Sequence, residues 1–470
     1  MEHVRGGNIS YKRMFVILWV AIYVVAFLDI YIKWASVHYS YIGFPYVYNP
    51  SDTSISCVLI FLFALLLPIS VTRYSDFFCW MLYLMAFIPT LLIVAMQGYA
   101  SFDATWLIVS VAASFFLILY IPRVIRFKPY SLTSQVSAGT FFFVFFAFYL
   151  AAIAFYVGTY RGMMSFSGLD EIYEQRARFG GMEASALALY LTGWLSFAMS
   201  PYLLAVGLFD QTRRWAVAVG LAGQIIVFMA FAGKIMLAML VVMFGFYFFA
   251  LKKGRISTPR IAFGFAALAG SIFAILKATN YEPDGIVLDL ASLIYMRTLG
   301  IQGAMTGVYA DVFSHNPITY WSHINIINQI VSYPYREPLG YVVGMKLVGG
   351  TGFNANANFW ATDGVAAYGF MGVVIIGAVL GFLLSLANKV VTPDRLPFAA
   401  TVSIPFIMSL GNVSLFTSLI TGGGLIMILM IAYGIPQPKK PRGQDSLYGE
   451  PRKLPMLRRS VTAGQTIRRR

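Results

Sequence analysis

The chain reads as an all-α polytopic integral membrane protein, and three observations carry that reading. Hydrophobic residues make up 59% of its 470 residues and charged residues only 11%, with a mean hydropathy of +0.73. A water-soluble domain carries about 25% charged residues. Apolar runs of roughly 18 residues or more recur along the chain, each able to cross ~30 Å of hydrocarbon. The alternating segments of a membrane β-barrel, about ten residues each, are not found.

About twelve spans are expected. The first, Met14 to Ile32, follows Lys12 and Arg13; it is long for a signal-peptide core and no small-residue cleavage site ends it, so it reads as a retained anchor. Further spans fit Ser54–Val71, Phe78–Met96, Thr105–Ile121, Gly139–Val157, Ala186–Leu208, Trp215–Ala232, Ile235–Leu251, Ile261–Leu276, Phe359–Ala387, Leu396–Leu410 and Leu415–Ile435. The two cysteines, Cys57 and Cys79, open the second and third spans, on opposite membrane faces, which argues against a disulfide. They give no metal site. Residues 1–435 form the transmembrane body. Residues 436–470 carry much of the +15 net charge and read as a disordered basic tail. A topology signal lying on anionic lipid accounts for the tail, with a protein partner as the alternative; nucleic acid is not expected.

Basic residues decide the orientation. With the N-terminus inside, the inside loops hold Arg73, Arg123, Arg126, Lys128, Arg213, Arg214, Lys252, Lys253, Arg255, Arg260, Lys389 and Arg395, besides the N-terminal segment and the tail. The outside keeps Lys33, Arg161, Arg176, Arg178, Lys234, Lys277, Arg297, Arg336 and Lys346. Short cytoplasmic loops are enriched in Lys and Arg, so both termini are expected to be cytoplasmic. Two outside segments then stand out, Gly158–Ser185 and the long Ala278–Asn358.

Cations kept outside, beside aromatics and amides, point to an anionic, sugar-bearing ligand. From Leu290 to Val312 the residues Leu290, Ile294, Ile301, Met305, Val308 and Val312 fall on one face at helical spacing, with Arg297 amid them. A guanidinium on an apolar stripe needs a partner or a wet cavity. It either binds ligand, or snorkels or pairs with Asp289 or Asp311. Glu174 and Arg178 have the spacing of a helical i,i+4 pair, so one of Arg176 and Arg178 is expected to be structural and the other free for an anion. Lys234 sits in a tight turn at the start of a helix, where the dipole does not favour a cation; an anionic partner or a simple interface marker explains it. His315 and His323 lack zinc-helix spacing, so no metal is expected. A histidine can take a proton from a sugar hydroxyl, and Asp311 is an alternative acceptor; a lone loop histidine is otherwise a hydrogen-bonding group. Asn354, Asn356 and Asn358 beside Phe359 and Trp360 suit a carbohydrate, or else form an interfacial aromatic belt with loop asparagines. There is no Walker loop, no G-x-G-x-x-G and no G-x-S-x-G, so no nucleotide site or cofactor is expected. External glycosyl transfer then needs a donor already activated on a lipid.

Three stretches resemble the Wzy-type oligosaccharide repeat-unit (O-antigen) polymerases. These are Phe231-Ala232-Gly233-Lys234 between two spans, Arg297 followed by Asn316 to Ser322, and Asn354 to Gly372. The likeness covers roughly residues 160–390. It implies a GT-C-like, metal-independent glycosyltransferase of the bacterial inner membrane. The enzyme joins repeat units carried on undecaprenyl diphosphate at the periplasmic face, with lipid-linked donor and acceptor as partners and a chain-length-regulating co-polymerase as a further one. On this resemblance Arg297, and with it Arg176, Arg178 and Arg336, contacts the donor diphosphate, and His323, His315 or Asp311 takes the acceptor proton. An O-antigen ligase or a lipid-linked oligosaccharide flippase is the competing reading.

Overall fold

In hydrocarbon a peptide group must find its partner within the protein, which favours helices for a chain this apolar. The computed structural model describes residues 2–128, 130, 136–165, 185–252, 254–350 and 353–434. Arg176, Arg178 and the basic tail lie outside the described residues. Among the described residues seven helices are long and apolar enough to cross a membrane: Ser10–His38, Tyr74–Gln97, Ala104–Val124, Ala138–Tyr160, Ala186–Phe209, Thr258–Ala278 and Trp360–Val390. The protein is an all-α, multi-pass membrane protein. The other expected spans are present as shorter apolar helices, among them Pro50–Leu66, Trp215–Phe231 and Leu396–Leu410. The last expected span is not continuous: it divides into Leu415–Ile420 and Gly424–Tyr433, with Gly423 between them at φ 78°. A two-residue antiparallel ribbon pairs Leu251 with Ile256 and Lys252 with Arg255.

Helix Tyr74–Gln97 is the hub, buried along its whole apolar window. Its C-terminal end is fixed by Gln97, whose side-chain amide donates to Gly43 O at 2.9 Å and Ala304 O at 2.8 Å. Gly303 lets helix Ile301–His315 come down onto this hub, because a Cβ there would sit 2.5 Å from Pro89 O. Helix Ala104–Val124 packs along Ala366–Val390, and Glu2–Ile30 along Thr258–Ala278. Lys33 pairs with Asp29 at 2.6 Å, and the Tyr281 hydroxyl donates to the same carboxylate, tying the segment after residue 278 to the first helix.

Two departures from simple helices shape the end of the molecule that carries Gln97 and the loop after Asn316. The helix through Ser292–Gly300 is a π-helical stretch. Its wider turn shifts the phase of everything after it. The expected apolar stripe is therefore not one face. Ile301, Met305, Val308 and Val312 are buried, whereas Leu290 and Arg297 are exposed. The longest expected span, Phe359–Ala387, is also not straight. Tyr368 (φ −153°, ψ 36°) and Gly369 (φ 58°, ψ −147°) break it. Gly364 and Gly372 touch: a Cβ on Gly372 would lie 2.2 Å from Gly364 O. Trp360 Nε1 donates to Ser114 Oγ at 2.9 Å, and a Cβ on Gly377 would be 2.1 Å from the same atom. Trp360 thus lies level with Gly377, and Gly364 with Gly372. The segment is a helical hairpin whose short arm returns to the middle of helix Ala104–Val124.

Candidate functional site

The break at Tyr368–Gly369 leaves carbonyls at the end of the short arm without helical partners. The loop after Asn316 supplies them. Thr319 N donates to Ala366 O at 2.8 Å and Tyr320 N to Ala367 O at 2.9 Å. To do so, Tyr320 and Trp321 adopt φ values of 46° and 62°. Left-handed backbone in a bulky residue costs about 1–3 kcal/mol and persists only where the surroundings fix it. The result is an aromatic platform: Trp321 stacks on Tyr368 with centroids 6.1 Å apart, and Tyr320 lies 5.8 Å from the same ring. Tyr320 is 50% and Tyr368 45% exposed, so ring faces remain open to a ligand.

His323 is held beneath this platform. Its Nδ1 meets Thr319 Oγ1 at 3.0 Å and its Nε2 meets Asp363 Oδ1 at 3.2 Å. Asp363 is fully buried, and its other oxygen accepts from Leu415 N. The carboxylate therefore clamps the loop, the short arm of the hairpin and the start of helix Leu415–Ile420. Thr319 Oγ1 also reaches Ala366 O at 3.1 Å. Both ring nitrogens of His323 are thus engaged within the protein. In this geometry His323 latches the loop to the short arm of the hairpin, whereas the expected base role needs a ring nitrogen turned to an open site.

Asn358 is likewise turned inward. Its amide donates to Gln302 O at 2.8 Å and to Thr306 Oγ1 at 2.9 Å, while its oxygen accepts from Ala361 N at 2.9 Å. Expected as a sugar contact, it instead fixes the entry to the hairpin against helix Ile301–His315. Asn354 and Asn356 are exposed and lean on Gly340, where a Cβ would lie 2.1 Å and 2.7 Å from their side-chain oxygens. Ala355 N donates to Gly340 O at 2.9 Å. These contacts set the position of helix Leu339–Val348.

That helix and the preceding loop enclose a cavity of about 400 Å³ lined by Asn316, Tyr335, Arg336, Glu337, Met345 and Lys346, with Val342 at its base. Arg336 and Lys346 are exposed at its rim. Tyr335 donates to Pro317 O, and Asn316 Nδ2 to Val312 O at 2.6 Å. Burial, with Tyr335 beside it, pushes the Tyr333 phenol up to about 12, and burial raises Tyr335 as well. Both hydroxyls keep their protons at neutral pH. These hydroxyls are spent on the Glu337 and Pro317 carbonyls, so the two cations and the Asn316 amide are what can hold an anion at this opening; Glu337 sets a limit on how much negative charge it takes.

The remaining expected residues fall elsewhere. His315 is the exposed last residue of helix Ile301–His315, directly before the cavity residue Asn316. Asp311 lies one turn earlier on the same face and accepts from Ser101 Oγ. Lys234 opens helix Lys234–Gly245, and its side chain lies outside the described residues. Arg297 is exposed on the π-helical stretch. No family model, curated protein or solved structure matches the chain. Geometry alone therefore carries the functional argument. Sequence reasoning missed the Thr319–His323–Asp363 latch and the Tyr368–Gly369 turn. The repeated glycines at 364, 369 and 372 were the available signal for the turn.

Proposed function

We propose that the protein polymerises oligosaccharide repeat units carried on undecaprenyl diphosphate. The observation that supports this best is the joining of the Arg336–Lys346 cavity to an exposed aromatic platform by one continuous loop, residues 316–323. The cations suit a diphosphate and the rings suit a pyranose face. In this reading an acceptor sugar hydroxyl attacks the anomeric carbon of the donor glycan. A new glycosidic C–O bond forms as the bond to the lipid diphosphate breaks. Arg336 and Lys346 stabilise the charge that develops on the leaving diphosphate, as fixed cations do. His315, exposed beside the cavity residue Asn316, takes the hydroxyl proton.

The proposal includes about twelve membrane crossings, a GT-C-like architecture, and a bacterial inner membrane with both termini cytoplasmic and residues 278–358 periplasmic. The Lys and Arg bias of the loops supports that orientation. Cysteine labelling at Ser332 tests it, with reaction expected from the periplasmic side. The activity itself is tested by giving purified protein a lipid-diphosphate oligosaccharide with and without a chelator. A ladder of longer lipid-linked glycans is expected in both. Capping of a single unit onto a different lipid acceptor would point to a ligase. Transport across a vesicle membrane without bond formation would point to a flippase.

A further inference from the structure

The opposite end of the molecule carries a second arrangement that the glycan reading does not use. Helices Pro50–Leu66 and Ala104–Val124 diverge to leave a groove of about 560 Å³, open laterally, whose lining is entirely apolar. Leu59, Leu62 and Leu66 form one wall, Ala112 and Ala113 the floor, and Phe116 the far lip. Small residues on the floor make it concave where the rest of the helix surface is ridged. Its volume falls in the ~300–1,000 Å³ range of ligand sites.

Arginines gather at one end of this groove. Arg13 donates to Leu65 O and Arg123 to Leu66 O, at 3.5 Å for the latter. These are consecutive carbonyls at the end of the helix that forms the wall, so the two guanidinium groups meet at one point. Arg73 Nη1 donates to Pro122 O at 3.3 Å and Arg126 Nε to Arg123 O at 2.8 Å, which brings two more cations to the same rim. Capping of helix ends explains one hydrogen bond per side chain. It does not explain four positive charges, each guanidinium having five N–H donors. Among the described residues none of the four makes a salt bridge. One oxygen of the nearby Asp76 carboxylate, Oδ2, accepts from Thr72 and the Arg73 backbone N–H, and Asp76 makes no ion pair with the four arginines.

We propose that this is a binding site for an anionic glycerophospholipid of the leaflet on the Arg13 side. One acyl chain lies in the groove and the phosphate sits among Arg13, Arg73, Arg123 and Arg126. An apolar groove ending in clustered guanidinium groups matches a molecule with a chain at one end and a phosphate at the other. Guanidinium recognises phosphate through paired donors, which distinguishes this from lysine snorkelling. The polyprenyl diphosphate carrier is not the occupant. The arginine end is remote from the end where Gln97 contacts Gly43 and Ala304. The inference stands apart from the glycan reading.

Native mass spectrometry of the full chain in detergent tests it. The probes are dioleoyl phosphatidylglycerol, dioleoyl phosphatidylcholine, inorganic phosphate and undecaprenyl phosphate. Phosphatidylglycerol is expected to be retained about tenfold or more over phosphatidylcholine, with inorganic phosphate failing to compete. Each arginine removed should lower that preference about fivefold. Arg13→Gln with Arg123→Gln is the direct test. Arg126→Gln, at an exposed position, is the variant that leaves the end of helix Pro50–Leu66 and its contacts with Arg13 and Arg123 intact. Ala113→Phe fills the floor and should lower retention of both phospholipids. Equal retention of the two phospholipids, an unchanged preference in Arg126→Gln, or undiminished retention in Ala113→Phe would overturn the site. Displacement of phosphatidylglycerol by equimolar undecaprenyl phosphate would reassign it to the carrier lipid.

Discussion

Helices Tyr74–Gln97 and Trp360–Val390 are both apolar enough to span a membrane, yet only the first is a continuous rod. Pro89 sits within the first helix, and a π-helical turn at Tyr83–Phe87 accommodates it without a break. Every side of that helix is covered by protein, so its neighbours hold it straight. The second has Gly369 in a conformation open to glycine, and its short arm is held by polar contacts rather than by apolar packing alone. Equal hydropathy can therefore conceal opposite architectures. One region is a packed hub; the other is a fold-back that presents a polar loop.

The comparison can be broken at the latch. Asp363→Ala leaves His323 and Leu415 N–H without their buried acceptor. Breaking a buried pair in this way costs about 3–5 kcal/mol. A thermal melt in detergent together with membrane abundance reads this, and an unshifted melt would deny that the hairpin depends on the carboxylate. His323→Ala is expected to reduce stability and activity together, as a latch should, whereas His315→Ala should lower turnover about 100-fold or more without changing the melt. The reverse pattern would restore His323 as the base.

Smaller changes sharpen the contrast. Gly369→Ala meets no neighbouring atom within 4 Å. Its cost is backbone strain of about 1–3 kcal/mol. In the continuous helix the sense of the exchange reverses: Ala95→Gly is expected to cost about 0.5–1 kcal/mol, because glycine loses more entropy on entering a helix. Matched melts of the two variants check both. If Gly369→Ala were stabilising, residues 366–370 would have to be ordinary helix.

The membrane class was legible in composition and run length, because burial in lipid demands long apolar helices. The positions of the seven long apolar helices were legible for the same reason. What failed were the places where apolar sequence does something other than cross. The split at Gly423 and the fold-back at Gly369 depend on single φ values that hydropathy does not register. The stripe around Arg297 assumed 3.6 residues per turn through a stretch that is π-helical. For the site, Arg336 was singled out and does line a cavity with Lys346. Asn358 and His323 were recognised as polar residues in an apolar setting. Their partners, Gln302, Thr306, Thr319 and Asp363, come from distant or turned segments, so their inward orientation was not readable from spacing.

The most direct test of the central claim sets the cavity against the chemistry. Purified protein and an Arg336→Ala, Lys346→Ala double variant are each given a lipid-diphosphate oligosaccharide, and product length is followed over time. Both side chains are exposed, so the variant is expected to keep its melting temperature. The account predicts a glycan ladder from the unaltered protein and turnover lower by about 100-fold or more in the variant, the scale of losing charge stabilisation of a leaving group. An undiminished ladder from the variant, or no ladder from either protein, would contradict it.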